Sequence, residues 1–147
     1  MNSLIPWVAI VDDDELVRRS LLRLLDLHSF TAAGFESGDT FLDALRISKP
    51  ACVVLDLHMT ALNGFEVQKQ LAQLSAETSV IFVTGSDSLE NRRQAFSCSP
   101  IAYFAKPVAA GLLLETVASG IRQCEVKRQT SAGAATRSNL FNLRHRY

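Results

Sequence analysis

Asp56 ends an apolar run, Ala51-Cys52-Val53-Val54-Leu55. It is followed by Leu57-His58-Met59-Thr60-Ala61-Leu62-Asn63-Gly64, a loop leading into a helix start. A carboxylate at the C-terminal end of a buried strand occupies the place where open α/β sheets gather their chemistry. Three further apolar runs end in groups of complementary type. Val8–Val11 leads into Asp12-Asp13-Asp14, Val80–Val83 into Thr84-Gly85, and Ala102–Ala105 into Lys106-Pro107. An acid cluster, a lone acid, a hydroxyl and an ammonium group therefore all fall just past apolar strands. That set suits the metal-assisted placement of a phosphoryl group on Asp56. A carboxylate and a phosphoryl donor are both negative; a divalent ion removes their repulsion, and a lysine adds positive charge on the transferred group.

The elements that would position these groups alternate along the chain. Strand Val8–Val11 precedes a helix over Leu16–Leu27, with Leu16, Val17, Leu21, Leu24 and Leu25 at helical spacing and a basic face at Arg18, Arg19 and Arg23. Asp14 is placed to cap it. Thr31–Phe35 reads as a second strand. Ser37 caps a helix over Asp39–Ile47 that Lys49-Pro50 ends. The third strand, Ala51–Asp56, precedes a helix over Phe65–Leu74, with Phe65, Val67, Leu71 and Leu74 as its apolar set. Ser79–Thr84 is the fourth strand and Leu89–Phe96 a short helix with a very polar face. Ala102–Ala105 is the fifth strand, and Ala110–Gln123 the last helix, with Leu112, Leu113, Val117 and Ile121 inward. Continuous apolar strands are buried on both faces, so the sheet is expected to be parallel. Right-handed crossovers then bring every strand's C-terminal end to one edge. One such residue could be an ordinary loop residue; five at four strand ends argue for a site.

Composition narrows the function classes. The 147 residues fit one domain. Fifteen Lys and Arg balance fifteen Asp and Glu, so net charge demands neither nucleic acid nor an anionic membrane. No apolar run approaches the ~20 residues of a membrane span, and Met1–Trp7 has neither a basic region nor a signal-like core. A cytoplasmic location and no membrane partner are expected. Cys52, Cys98 and Cys124 show no metal-type pairing, and His28, His58 and His145 are scattered.

Val11-Asp12-Asp13, Asp56 with Gly64 downstream, Val83-Thr84-Gly85 and Lys106-Pro107 together resemble the receiver domain of two-component response regulators. The resemblance covers residues 6–124, and the receiver domain is placed at 1–124. It implies a flavodoxin-like doubly wound α/β fold: a five-stranded parallel sheet of order 2-1-3-4-5 with five helices. It implies that Asp56 is the phosphoacceptor for a sensor histidine kinase. Mg²⁺ (or Mn²⁺) would be held by Asp13, Asp56 and the backbone carbonyl of His58, with Asp12 acting through a water. Lys106 would pair with a phosphoryl oxygen and precede a cis proline. Thr84 would donate its hydroxyl to the phosphoryl group, and Tyr103 would be the aromatic that rotates inward. The His58 side chain would line the site rim and, with Ser86, tune attack by water. The family likeness implies a homodimer through the face of helix four, strand five and helix five, and a domain that is no enzyme beyond slow autodephosphorylation. Thr60 stands where many receivers have proline, and Cys98-Ser99-Pro100 replaces a common Ala-Gly-Ala stretch.

Residues 125–147 read as a linker or tail. Thr130–Thr136 is small and polar, and Leu140–Tyr147 has the pattern of a helical fragment. The stretch resembles the linker before the LuxR-type helix-turn-helix domain of FixJ-like regulators, which implies the receiver part of a longer transcription regulator. DNA would be contacted only through that further domain; Arg137, Arg144 and Arg146 read as solvated tail residues. The alternative is a stand-alone receiver acting on a protein partner or in a phosphorelay. A remote alternative is a phosphatase: Asp56-Leu57-His58-Met59-Thr60 resembles the haloacid-dehalogenase signature Asp-x-Asp-x-Thr, but with His58 for the second acid and after the third strand.

Overall fold

The computed structural model describes the backbone of residues 5–144 and the side chains of residues 5–133. Strands and helices alternate: β1 (Trp7–Val11), α1 (Glu15–Leu27), β2 (Thr31–Phe35), α2 (Gly38–Ala44), β3 (Cys52–Asp56), α3 (Gly64–Leu74), β4 (Ser79–Thr84), α4 (Leu89–Ser97), β5 (Ala102–Ala105) and α5 (Ala110–Arg144). The strands form one parallel sheet of order β2-β1-β3-β4-β5. This is the flavodoxin-like order expected, with its switch point between β1 and β3. Register levels the strand ends: Val11 pairs with Leu55, Asp56 with Val83, and Thr84 with Ala105.

The period of two along each strand divides the core. On one face Val53, Leu55 and Phe82 pack with Phe41, Val67 and Leu71. On the other, Val54, Ile81 and Val83 pack with Leu25, Leu113 and Val117. All five residues of β3 are buried, so the strand that carries Asp56 is the sheet's most enclosed. Helix starts are fixed by side chains. Asp14 accepts from the Leu16 and Val17 amides, Ser37 from Thr40, and Ser88 from Asn91. Asn63 and Glu66 form a reciprocal capping box.

Four expectations are corrected. The second helix ends at Ala44 rather than Ile47, because Leu45, Arg46 and Ile47 donate to carbonyls three residues back and tighten into turns. Leu16 is 77% exposed, since it lies in the first turn of α1 at the rim of the sheet edge. Leu74 and Leu112 are each 49% exposed and sit at the boundary of their helices' buried faces. The stretch 130–136, small and polar in sequence, is helical and continues α5. Its alanines favour helix, and no proline follows Pro107. Tyr147 lies outside the described residues.

The packing of α3 gives a direct check. Leu71→Ala, at a fully buried position, is expected to destabilise the domain by about 2–5 kcal/mol. Leu74→Ala should cost under about 1 kcal/mol. Urea unfolding of the two variants tests that difference.

Candidate functional site

The strand ends deliver their side chains to one pocket. Asp12 and Asp56 are buried and Asp13 is exposed, and each offers a carboxylate oxygen within 4.8 Å of the others'. Lys106 reaches in from the far side of β4. Its Nζ lies 2.9 Å from Asp12 Oδ2 and 3.5 Å from Asp56 Oδ1. The Lys106 amide donates to the Thr84 carbonyl at 2.7 Å, which ties the lysine's backbone to the end of β4. The Lys106–Pro107 bond is cis, as the resemblance implies.

The surrounding backbone holds the acids in place. The Asp14 amide donates to Asp12 Oδ1 at 2.9 Å, the His58 amide to Asp56 Oδ1 at 3.3 Å, and the Thr60 amide to Asp13 Oδ2 at 3.3 Å. The last bond joins the loop after β3 to the loop after β1. Gly64 permits that loop to fold back: a Cβ there would lie 2.5 Å from the Asp56 carbonyl oxygen and 2.9 Å from Leu57 Cα. Ala61, in the same loop, has φ of 66°, a left-handed conformation that costs a non-glycine residue about 1 kcal/mol.

Charge and burial compete at Asp56. Burial, followed by the Asp12 charge, raises its carboxyl against the opposing Lys106 and His58 amide, for a net rise from 3.8 to about 6. Burial disfavours the charge on Lys106, but the hydrogen bond to Asp12 and the charges of Asp56 and Asp12 outweigh it and raise its pKa. The cluster offers only hard oxygen donors in a small space. Such a donor set fits a hard divalent cation that keeps several waters.

The two switch candidates are bonded away from the acids. Thr84 is fully buried, and its hydroxyl donates to the Ser86 carbonyl at 3.2 Å and accepts from the Ser86 amide at 3.0 Å. Tyr103 is partly exposed, and its hydroxyl donates to Asp87 Oδ1 at 3.1 Å. His58 is at the exposed rim, its Nε2 3.2 Å from Asn91 Nδ2. Among the described residues, the structure thus gathers Asp12, Asp13, Asp56 and Lys106, with Thr84 and His58 bordering them and Tyr103 farther out.

Sequence reasoning missed several supporting residues. Arg18, read only as part of a basic face, donates to the Asp12 carbonyl at 2.8 Å. Asn91, read only as part of a polar helix, joins His58 to the Ser86 carbonyl. The one signal available was their distance of a turn or two from a strand-end loop. Beside Lys106, a groove of about 460 Å³ is lined by Leu16, Val17, Leu21, Pro107 and Val108.

Residues 8–118 match the sequence model of the response regulator receiver domain. The chain belongs to this family. This receiver domain is 29% identical over 133 residues to response regulator MprA of Mycobacterium avium, covering 90% of this chain and 58% of MprA. It is 30% identical over 127 residues to the transcriptional regulatory protein FixJ of Bradyrhizobium diazoefficiens, covering 86% of this chain and 62% of FixJ. A solved response regulator receiver protein from Burkholderia phymatum is 39% identical, with a TM-score of 0.71 over 79% of this chain and 94% of that one. The chain spans less than two thirds of the length of either regulator. Among the described residues, no helix of the receiver domain is long and apolar enough to cross a membrane.

The raised Asp56 carboxyl has a measurable consequence without divalent ions. Between about pH 4 and pH 6 the folded receiver domain keeps a proton on Asp56 that the unfolded chain has released. Stability therefore falls as pH rises through that window and is lowest, for this group, above about pH 6. Asp56→Asn removes the penalty. In EDTA it should be more stable than wild type by about 1–2 kcal/mol near neutral pH, and the advantage should vanish below about pH 4. Urea midpoints of both proteins across this range test the sign.

Proposed function

We propose that this receiver domain accepts a phosphoryl group on Asp56 from a sensor histidine kinase, and that the modification reshapes the α4–β5–α5 face to control an output. The observation that carries the reading is Lys106 bonded to Asp12 and Asp56 over a cluster of three carboxylates. A carboxylate oxygen of Asp56 attacks phosphorus. The bond from phosphorus to the donor's imidazole nitrogen breaks, and the nitrogen keeps the electron pair. Asp56 must be ionised to attack, which its carboxyl permits above about pH 6.

Mg²⁺ (or Mn²⁺), held by Asp13, Asp56 and the His58 carbonyl with Asp12 through a water, would supply positive charge against the incoming phosphoryl oxygens. Lys106 supplies the protein's own. Its ammonium group leaves Asp12 and pairs with a phosphoryl oxygen. The new group adds ~1.5 to 2 negative charges beside Thr84. The Thr84 hydroxyl turns from Ser86 to donate to it, and Tyr103 moves toward the space left behind. The apolar groove between α1 and the Lys106–Pro107 turn gives a donor protein a surface beside the acceptor.

The output is best read as transcription, exerted in the cytoplasm by a DNA-binding domain joined after the receiver domain at 1–124. Support comes from FixJ, a transcriptional regulatory protein of which this chain matches 62%. Residues 125–147 then form the connection, with α5 continuing through it to Arg144. Homodimerisation through the α4–β5–α5 face is the matching route of control. The domain is modified rather than turning over substrate, apart from slow autodephosphorylation.

Intact mass after incubation with acetyl phosphate and Mg²⁺ tests the chemistry. Wild type should gain one phosphoryl group, and Asp56→Asn or EDTA should abolish it. No adduct on wild type, with no binding of beryllofluoride, would refute the reading. Lys106→Ala should slow adduct formation roughly tenfold or more, the worth of one charge-assisted hydrogen bond.

A further inference from the structure

Tyr103 is held by two residues that neither strand order nor acid chemistry requires. Asp87, in the loop between β4 and α4, accepts its hydroxyl at 3.1 Å. Arg92 on α4 grips the same carboxylate with two donors, Nε at 2.8 Å and an Nη2 at 2.6 Å. The Arg92 guanidinium also lies over the tyrosine ring, 5.9 Å from its centroid. Each of the three side chains thus touches the other two. Phe96, one turn along α4 from Arg92, brings its ring to 6.4 Å from that of Tyr103. The electrostatics agree with the geometry. The bond to Arg92 lowers the Asp87 carboxyl, and burial together with the bond to Asp87 raises the Tyr103 phenol.

The loop carrying Asp87 is tied to the phosphorylation site by one residue. Ser86 takes the Thr84 hydroxyl on its carbonyl and gives its amide back to the same oxygen. Asn91 donates to that carbonyl as well, at 2.8 Å. If Thr84 turns to a phosphoryl group, Ser86 loses both bonds to it, and the loop that presents Asp87 is released. We propose that Asp87 and Arg92 form a latch that holds Tyr103 outward and sets the threshold at which modification of Asp56 switches the domain. The proposal rests on the reading of Asp56 as acceptor and Tyr103 as the moving aromatic. Arg92 and Asp87 act through Tyr103 and are positioning residues. Their contacts are solvent-exposed, and exposed charge pairs are weak. The latch therefore biases the outward state without blocking the inward one, as a reversible switch requires.

Beryllofluoride with Mg²⁺, titrated and followed by ¹⁹F NMR, reads the threshold without a kinase. Asp87→Ala should bind beryllofluoride roughly two- to fivefold more tightly than wild type, the scale of one exposed charged contact. Tyr103→Phe, which lacks the hydroxyl, should absorb most of that gain, so that adding Asp87→Ala to it changes affinity little. A merely structural role for Asp87 would leave the two effects independent. Unchanged affinity in Asp87→Ala, or full additivity with Tyr103→Phe, would overturn the latch while leaving the Asp56 reading intact. Failure of wild type to bind beryllofluoride would overturn that reading and the latch with it.

Discussion

Like-charge repulsion at the end of β3 is the constraint from which the rest follows. Three carboxylates offer oxygens within 4.8 Å of one another, and two of the residues are buried. At an effective dielectric of about 20, each ionised pair at ~4 Å costs roughly 4 kcal/mol. One ammonium, on Lys106, cannot offset them all. Burial, with the Asp12 charge behind it, makes Asp56 hold its proton up to about pH 6. The site is therefore short of positive charge, which on the proposed reading would make it receptive to a cation and then to a phosphoryl group. A pocket already neutralised would have no such demand.

Such a pocket needs a scaffold that will not relax. The five buried residues of β3 leave Asp56 no backbone freedom. Register levels β1, β3 and β4, so the acids and Thr84 project from one line. Loop atoms then fix what the strands cannot. Thr60 binds Asp13 across two loops, and Gly64 lets the chain return against the Asp56 carbonyl. Rigidity on this side contrasts with the exposed contacts around Tyr103, where the bonds are few and solvated. On the proposed reading, the charge would be received by a stiff element and read out by a loosely held one.

Much of this is legible in the sequence, because the strands are buried on both faces and the chemistry falls just beyond them. The run Cys52–Leu55 announces a central strand, and the residue after it must lie at the sheet edge. The parallel order follows from alternation and handedness. The helix faces were less legible. Leu16 fits the apolar pattern of α1 but is exposed at the rim, since periodicity cannot say where the sheet beneath a helix ends. The stretch 130–136 looks irregular by its small residues, yet its alanines favour helix and it continues α5. Within the site, Asp12, Asp13, Asp56, Thr84 and Lys106 were identifiable from position. Arg18, Asn91, Asp87 and Arg92 were not, because several of their bonds span five or six residues from a loop into a helix, a spacing no helix or strand period marks, and each alone is an ordinary surface polar residue.

The seating of α5 on the sheet has a geometric consequence. The Ser79 hydroxyl donates to the Gly120 carbonyl at 2.7 Å, and the absence of a side chain at Gly120 lets the helix press against Cys52, Ser79 and Ile101. Farther along, Arg128 holds the Lys49 and Pro50 carbonyls at 3.2 and 3.3 Å. Beyond Arg128 the helix runs to Arg144, roughly 24 Å at 1.5 Å per residue. A rod pinned near one end magnifies rotation at the other. A tilt of about five degrees at Arg128 would carry the far end of a straight helix of this length about 2 Å, so a change in side-chain packing too small to disturb the core becomes a displacement large enough to be felt at Arg144.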